Sequence, residues 1–549
     1  MNKKNYFISF FLGALSSLAF APTYFIILSI IGFSGLILFL NKAQNNKESF
    51  ILGFSFGFGH FIIGLYWISI SLFVDIAKFG WLLPFSITLI PAACAVYIGL
   101  VALISRKLAI NLGNFIDYLE DIILKSKKLT KKSQKSSNSI NLIIIFAIIW
   151  VFFEYLRSIL FSGFPWNLIG YQAVFSINFS QIASIIGIYG LSFLIILFAT
   201  IPAIFFEICD NKLKFCKFSA QNLIIFLSSL IIFLSIFLWG ASRINSTQLD
   251  LVENGNVRII QPNIEQNMKW DPEYKYNSFI KNIHLTNSYD KDDINYVIWS
   301  ESSIPYLVGN NSQQLLNLIR RAVPRGGFVI SGALRAEYKN SNINKIFNSI
   351  IAVNEDGEIV DFYDKTHLVP FGEYIPLQEY LPFITKITNG AMSFSAGSEL
   401  KIMKMANNLP KFNPLICYEV IFSDLARAAA QDSDFMVNLT NDAWFGKSSG
   451  PYQHLAMARI RSIETGLSLV RAANTGISAY IDPMGRIIDY IKLNEEGFID
   501  VQLIKKFDPT FYLKYGDAII IYLFFILILV KICIILIHIF YKKLKIVSK

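Results

Sequence analysis

The sequence predicts a multi-span α-helical membrane bundle of about eight transmembrane helices, with an exported α/β domain inserted before the last of them. Three observations carry that reading. Hydrophobic residues make up 54% of the 549 residues and charged residues only 16%, with a mean hydropathy of +0.48, which excludes an ordinary soluble protein. The net charge of +10 is unevenly spread. Residues 243–514 hold 27 Lys and Arg against 30 Asp and Glu, so the excess of basic groups belongs to the apolar remainder. Such a split fits the positive-inside rule better than a nucleic-acid partner. Finally, the pattern changes at about residue 242 from long apolar runs to short β-branched runs separated by helical periods.

Seven apolar segments of bilayer-crossing length are expected near 5–21, 23–41, 50–72, 81–104, 140–161, 181–206 and 222–241, and an eighth near 518–540. The first has the basic start and the Ala19-Phe20-Ala21 site of a signal peptide, but Pro22 and a second apolar segment directly behind it favour an uncleaved span. Lysines and arginines crowd into alternate connections, including the run from Lys125 to Lys135 and the tail Lys542–Lys549. Those connections are assigned to the cytoplasm, which puts both termini there and residues 242–517 outside. The Lys125–Lys135 run reads as a solvated connection against anionic head groups. Glu154 and Arg157 interrupt the fifth span at i, i+3; a functional site and a structural ion pair both remain open for them. Gly163-Phe164-Pro165-Trp166-Asn167 reads as a turn at the outer surface with Trp166 as an interfacial anchor.

The domains are therefore 1–241 (membrane, seven spans), 242–517 (exported) and 518–549 (last span and tail). Strands are expected at 257–261, 296–300, 328–333, 349–353, 359–363, 414–418, 435–439 and 477–481. Asn354-Glu-Asp-Gly357 and Asp482-Pro-Met-Gly485 are turn signals between strands.

Cysteine usage gives the sharpest chemical clue. Cys94, Cys209, Cys216 and Cys533 lie in spans or on the cytoplasmic side, and Cys417 stands alone in the exported domain. A lone thiol in an oxidising compartment has no partner there and is exposed to wrong pairing, so retaining one suggests use, although most free cysteines are small buried hydrophobes. Cys417 closes an apolar run just before a helix expected from Ser423, the place where α/β folds put nucleophiles. A thiol nucleophile needs a base and donors for an oxyanion. His284, His367 and His454 sit in no recognisable Cys-His context, whereas Glu301 ends the strand at 296–300 and Lys365 follows the one at 359–363. For any single Glu or Lys, a solvated surface group is the commoner case.

Glu301 in Trp-Ser-Glu-Ser, Lys365 in Asp-Lys-Thr-His-Leu-Val-Pro-Phe-Gly-Glu-Tyr-Ile-Pro and Cys417 in Cys-Tyr-Glu are similar to the Glu-Lys-Cys triad of the nitrilase, or carbon-nitrogen hydrolase, superfamily. With Asn441-Asp-Ala-Trp-Phe-Gly446, Gly450-Pro-Tyr-Gln-His454, Arg471-Ala-Ala-Asn-Thr-Gly476, Gly163-Phe-Pro-Trp166 and the eight spans, nearly the whole chain resembles the apolipoprotein N-acyltransferase family. That resemblance implies an α-β-β-α sandwich on a membrane bundle in the bacterial inner membrane, with the catalytic domain periplasmic. It also implies a ping-pong reaction. Cys417 takes an acyl chain from a phospholipid, typically phosphatidylethanolamine, as a thioester, and the α-amine of a diacylglyceryl-cysteine apolipoprotein then accepts it. No cofactor and no metal are implied. Glu301 is then the base, Lys365 the oxyanion partner and Glu373 the residue holding them; Tyr418, Glu419 and Trp270 match further family positions. Ser300 departs from the proline often found before the base.

Two rivals differ in class: a membrane-tethered amidase with water as acceptor, and a receptor or transporter whose exported domain only binds ligand. The apolar stretch from Leu381 to Phe394, with Phe383, Ile384 and Phe394, is expected to join Trp444 and Phe445 as a mobile lid dipping into the outer leaflet, with plain core packing as the competing reading.

Overall fold

The computed structural model describes the chain except for residues 1–2, 125–133, 210–211, 217–218, 310–311, 381–385, 389–391, 407, 523, 527–528, 530–531, 534–535 and 538–549. The run from Lys125 and two of the expected lid residues, Phe383 and Ile384, therefore lie wholly or largely outside the described residues.

Seven helices fall where apolar segments are expected: α1 (Lys3–Ser17), α2 (Ile26–Lys42), α3 (Asn46–Gly64), α4 (Leu83–Leu124), α5 (Gln134–Ile159), α6 (Ala183–Thr200) and α7 (Ala220–Ser246). Among the described residues, four helical stretches are both long and apolar enough to cross a bilayer, within 66–116, 139–162, 183–205 and 220–246. The rest are shorter than the sequence suggests. Helix α1 has 15 residues, about 22 Å at 1.5 Å per residue against a hydrocarbon layer of about 30 Å. The expected span at 50–72 becomes α3 followed by a 3₁₀ stretch, Tyr66–Asp75. Within the bundle, helices approach through glycine. A Cβ on Gly59 of α3 would stand 2.0 Å from the Phe10 carbonyl oxygen of α1, so the two backbones touch only because that position has no side chain.

Beyond α7 the chain builds two sheets. The larger takes β3 (Leu251–Gln261), β4 (Tyr296–Ile298), β5 (Ile304–Val308), β6 (Phe328–Lys339), β7 (Asn342–Val353), β8 (Ile359–Asp364) and β14 (Gly497–Ile504), in the order β14-β3-β4-β6-β7-β8 with β5 beside β6. The smaller takes β9 (Phe412–Ile416), β10 (Phe435–Thr440), β11 (Ser468–Ala473), β12 (Ser478–Ile481) and β13 (Ile487–Ile491), ordered β13-β12-β11-β10-β9. A small hairpin, β1 (Phe206–Cys209) with β2 (Lys212–Phe215), precedes α7.

Side-chain alternation explains why the sheets stack. In β4, Tyr296 and Ile298 face Phe412, Ile416, Phe435 and Val437 of the smaller sheet, while Val297 and Trp299 face the opposite way, onto Phe279, Ile283 and Ile319. Helices α8 (Lys275–Asn287) and α9 (Gln313–Ile319) cover that outer face. On the smaller sheet, Met436 and Leu469 turn outward to α10 (Ser423–Ala428) and α11 (Gly450–Thr465). The layers run α-β-β-α. The outermost apolar layer, with Leu455, Ile460, Val420 and Ile421, is continuous with membrane residues such as Phe33, Trp150 and Ile169, so domain and bundle share one core.

Eight expected strands are present, with the one placed at 414–418 ending at Ile416 because Cys417 opens a 3₁₀ turn. Sequence reading missed β1, β2, β5, β11, β13 and β14. Both expected turns are hairpin corners with a left-handed glycine, Gly357 at φ 76° and Gly485 at φ 77°.

Gly59→Val should cost about 1–3 kcal/mol through forced separation of α1 and α3. Thermal unfolding of the detergent-solubilised protein checks it, with Gly497→Ala as a neutral control because nothing lies within 4 Å of a Cβ there.

Candidate active site

Strand β9 ends at Ile416 with extended backbone, and the next residue, Cys417, turns to φ 49° at the head of the 3₁₀ segment Cys417–Ile421. A non-glycine residue in the left-handed region costs free energy and persists only where its surroundings hold it. The strand itself is fixed by parallel pairing to β10, Ile416 opposite Leu439. Cys417 is 8% exposed.

The structure brings Glu301 and Lys365 to the same buried pocket. Glu301 follows β4 in a turn closed by Ser300 and Ser303, whose hydroxyls meet at 2.9 Å, so the serine standing in for proline still pins the strand end. Lys365 follows β8, is 1% exposed, and its Nζ lies 3.0 Å from Glu373 and 4.0 Å from Glu301 Oε1. Asn348 of β7 donates from one amide nitrogen to both carboxylates, 2.8 Å to Glu301 Oε1 and 2.8 Å to Glu373 Oε1. Glu373 Oε2 accepts from the Val369 amide, which fixes its own loop. Glu301 Oε2 is buried with no hydrogen-bond partner among the described residues, leaving a free carboxylate lone pair inside the pocket.

The electrostatics follow from that packing. Burial pushes the Cys417 thiol above its ordinary range, the Glu301 charge adds to this, and Lys365 opposes it. Burial alone would lower the Lys365 ammonium, but Glu373 and then Glu301 more than offset it, so the lysine stays charged. Lys269, which sequence reading did not single out, is 2% exposed and donates to the Glu301 carbonyl at 2.7 Å. Burial lowers it to about 8.

The remaining expected residues separate into three groups. Glu419 is wholly buried and accepts from Tyr363 Oη, Thr366 N, Thr366 Oγ1 and His367 N on one oxygen and from Ile416 N on the other. It therefore ties the segment after Lys365 to the strand end before Cys417. Tyr418 donates its hydroxyl to the Gly163 carbonyl at 2.9 Å, and Ser162 meets Tyr374 Oη at 2.7 Å and His367 Nε2 at 2.8 Å, so the turn after α5 is bonded to the segment carrying Lys365 and Glu373. Trp270 is half-buried in the turn beside Lys269.

Two expectations are corrected, and an open pair of readings is replaced by a third. Trp166 is 1% exposed and no interfacial anchor: its indole donates to Gln453 Oε1 at 2.8 Å and its ring packs on Trp67 at 4.4 Å. Phe445 lies in the same stack, 4.5 Å from Trp67 and 5.7 Å from Trp166, so it belongs to the junction with the membrane helices rather than to a loop tip. Glu154 and Arg157 brace the turn: the carboxylate accepts from Trp150 Nε1 and Ile169 N, and the guanidinium donates to the Phe164 and Trp166 carbonyls. Trp444 is half-buried; Phe394 is half-buried beneath Lys386, whose Nζ lies 4.3 Å from the ring centre, and its amide donates to the Glu373 carbonyl. Phe371, Leu377, Tyr380 and Met392 nearby are exposed. Among the described residues no cluster of three His, Cys, Asp or Glu is arranged to hold a metal. Asn348 was the informative residue missed, because an asparagine inside a strand carries no sequence signal of its own.

A stacked pair of sheets in which a strand-end cysteine is buried with a glutamate and a lysine is the core of a carbon-nitrogen hydrolase, and the family model of that description matches residues 256–506. A second model, described as the apolipoprotein N-acyltransferase N-terminal domain, matches residues 12–201. Apolipoprotein N-acyltransferase of Rickettsia typhi is 35% identical over 96% of this chain and 98% of its own length; that of Rickettsia bellii is 36% identical over 95% and 96%. That of Rhodopseudomonas palustris is 34% identical over 95% and 94%. Among solved structures, Nit3 of Saccharomyces cerevisiae, a nitrilase superfamily member, shares 19% identity with a TM-score of 0.34, over 47% of this chain and 92% of that one. The chain belongs to the apolipoprotein N-acyltransferase family.

The opposite signs of the two neighbouring charges give a test. Alkylation of resting Cys417 by iodoacetamide should still be rising with pH at the ordinary thiol value of 9.0. Glu301→Gln removes a charge that raises the thiol and should move the profile to lower pH. Lys365→Met removes one that lowers it and should move the profile up.

Proposed function

We propose that this enzyme transfers an acyl chain from a phospholipid, with phosphatidylethanolamine as the expected donor, to the α-amine of a diacylglyceryl-cysteine apolipoprotein. The observation that carries the reading is the unpaired, buried Glu301 Oε2 in a pocket that also holds the Cys417 thiol and the charged Lys365. A thiol with a raised pKa is protonated at neutral pH, so it needs a base at the moment of attack, and a carboxylate lone pair with no other partner is fitted to take that proton.

In the first half-reaction Glu301 takes the Cys417 proton and Sγ attacks the ester carbonyl. Lys365 and the Tyr418 amide stabilise the oxyanion, and the lysophospholipid alkoxide leaves with the proton from Glu301. In the second, the α-amine attacks the thioester carbonyl, Glu301 takes the amine proton, and the thiolate leaves and is reprotonated. Glu373 and Asn348 keep base and lysine in register. An amide in place of the ester and water in place of the amine would make the enzyme an amidase, a reading the full-length relatives do not favour.

For the chain as a whole the reading is eight spans, both termini cytoplasmic, residues 242–517 in the periplasm, and the flanking 1–241 and 518–549 in the inner membrane. The alternation of Lys and Arg supports it, as does the shared core through which the pocket meets the membrane helices. The exposed Leu377 and Tyr380 give the segment after Glu373 an apolar surface suited to the outer leaflet, with Phe394 bonded to the Glu373 carbonyl beside it.

Incubating purified protein with acyl-labelled phospholipid should put label on Cys417, and adding a diacylglyceryl lipopeptide should move it to the peptide amine. Cys417→Ser should take no label, and Glu301→Gln, folded and inserted, should lose at least about 1,000-fold in the first step. Label that reaches only water would instead identify a lipid hydrolase and overturn the transferase reading.

A further inference from the structure

His454 meets the backbone of the nucleophile itself, and a histidine beside a reactive cysteine invites assignment as its base. The geometry excludes that role and points to another. His454 lies on α11, is wholly buried, and directs Nε2 at the carbonyl oxygen of Cys417 at 3.1 Å, not at the thiol. A carbonyl oxygen only accepts, so Nε2 carries a hydrogen. On the other side of the ring, Nδ1 is 2.9 Å from Asp442 Oδ1 and 3.1 Å from Arg471 Nη2. The neutral Nε2–H tautomer accepts from Arg471 at Nδ1; the doubly protonated ring donates to Asp442 instead. Both forms keep the hydrogen on Nε2, so the bond to Cys417 is independent of the ring's charge.

The ring is held from every side. Arg471 Nη2 donates to Asp442 Oδ2 at 2.6 Å, its Nη1 donates to Asn438 Oδ1, and Thr440 Oγ1 donates to Asp442 Oδ1 at 3.0 Å. Asp442 stays ionised because Arg471 and then His454 outweigh its burial. Trp166 packs its ring 5.4 Å from the imidazole and Phe445 packs 5.9 Å away. Asn438 comes from β10, Asp442 from the 3₁₀ turn that follows it and Arg471 from β11, and Trp166 comes from the membrane side.

Cys417 is the residue whose backbone is left-handed, and left-handed non-glycine backbone needs an external constraint. We propose that His454 is a positioning residue for the nucleophile: by donating to the Cys417 carbonyl it holds the left-handed turn that aims the thiol, and the Trp166–Phe445 stack ties that grip to the membrane-side turn. The inference rests on Cys417 being the acylated residue.

Side-chain length supplies the test. Glutamine at 454 reaches as far as Nε2 and offers an N–H there, whereas asparagine ends near Nδ1 and leucine offers no donor. In the full-length protein, His454→Gln should acylate Cys417 from phospholipid at close to the wild-type rate. His454→Asn and His454→Leu should lose about 100-fold in kcat with little change in KM, as expected when a reacting group is displaced without loss of substrate binding. A purely structural role would rank the variants by melting temperature, with the two amides together, and would not separate glutamine from asparagine. The acylation pH profile of His454→Gln should match the wild type, since no proton passes through the ring.

Should His454→Gln fail to accumulate, the isosteric Asp442→Asn takes its place, with a fall in kcat at unchanged KM expected. Wild-type kcat in His454→Leu or in Asp442→Asn, or folded His454→Gln as inactive as His454→Leu, would overturn the proposal. Label appearing on Cys417→Ser protein would instead overturn the reading of the nucleophile, so the two failures are distinguishable.

Discussion

The carboxylate of Glu419 is the interaction on which the site depends. Two segments with no covalent reason to be near each other, the one leaving β8 with Lys365 and the one leaving β9 with Cys417, are joined through it by hydrogen bonds from Tyr363, Thr366 and His367 on one oxygen and Ile416 on the other. Charge-assisted bonds to a buried carboxylate are strong, and each is costly to leave unmade. Because β8 belongs to the larger sheet and β9 to the smaller, this one side chain also fixes how the sheets are offset where they meet the site. Burial raises Glu419 while the nearby Lys365 charge and the bonds from Ile416 and His367 work against that, so its ionisation is tied to the same contacts it makes.

The same economy joins the domain to the bundle. Tyr418 and Glu419 are neighbours, yet one reaches the Gly163 carbonyl at the end of the membrane helix and the other reaches the Lys365 segment. Gly163 takes φ 74°, and a Cβ there would stand 2.1 Å from the Ser158 carbonyl oxygen, so the turn can curl back toward the domain only with glycine. Arg157 and Glu154 spend their charges on the main chain of that turn. Ionisable groups in the last turns of an apolar helix thus serve here as scaffolding for the turn that follows it.

Strands and site were legible in the sequence to different degrees, for physical reasons. β4 and β10 are dense in β-branched and aromatic residues because both of their faces are buried, and they stand out. β11, reading Ser-Leu-Val-Arg-Ala-Ala, does not: its small residues and a wholly buried Arg471 look like a loop until Asn438 and Asp442 are seen to satisfy the guanidinium. β14 is an edge strand with alternating exposed polar residues, too weakly apolar to register. Cys417 stood out by closing an apolar run, whereas Glu301 and Lys365 at their strand ends were singled out only by the motifs that carry the family resemblance. Asn348 and Lys269 were not, since their meaning comes from what the fold brings opposite them. The ends of the apolar segments were less legible, because apolar composition does not reveal where α-helix gives way to a 3₁₀ turn, as it does after Gly64.

The larger sheet seats β14, its last strand, directly against β3, its first, in antiparallel register from Gly497 opposite Gln261 to Ile504 opposite Leu251. During synthesis β3 leaves the ribosome early and stays without that partner until the chain beyond Gly497 has followed. Nearly the whole domain is therefore committed to a late, cooperative closure, with one edge of the sheet open to wrong pairing in the meantime. Truncations that spare every residue of the active site but remove the last strand would still leave a domain unable to finish folding.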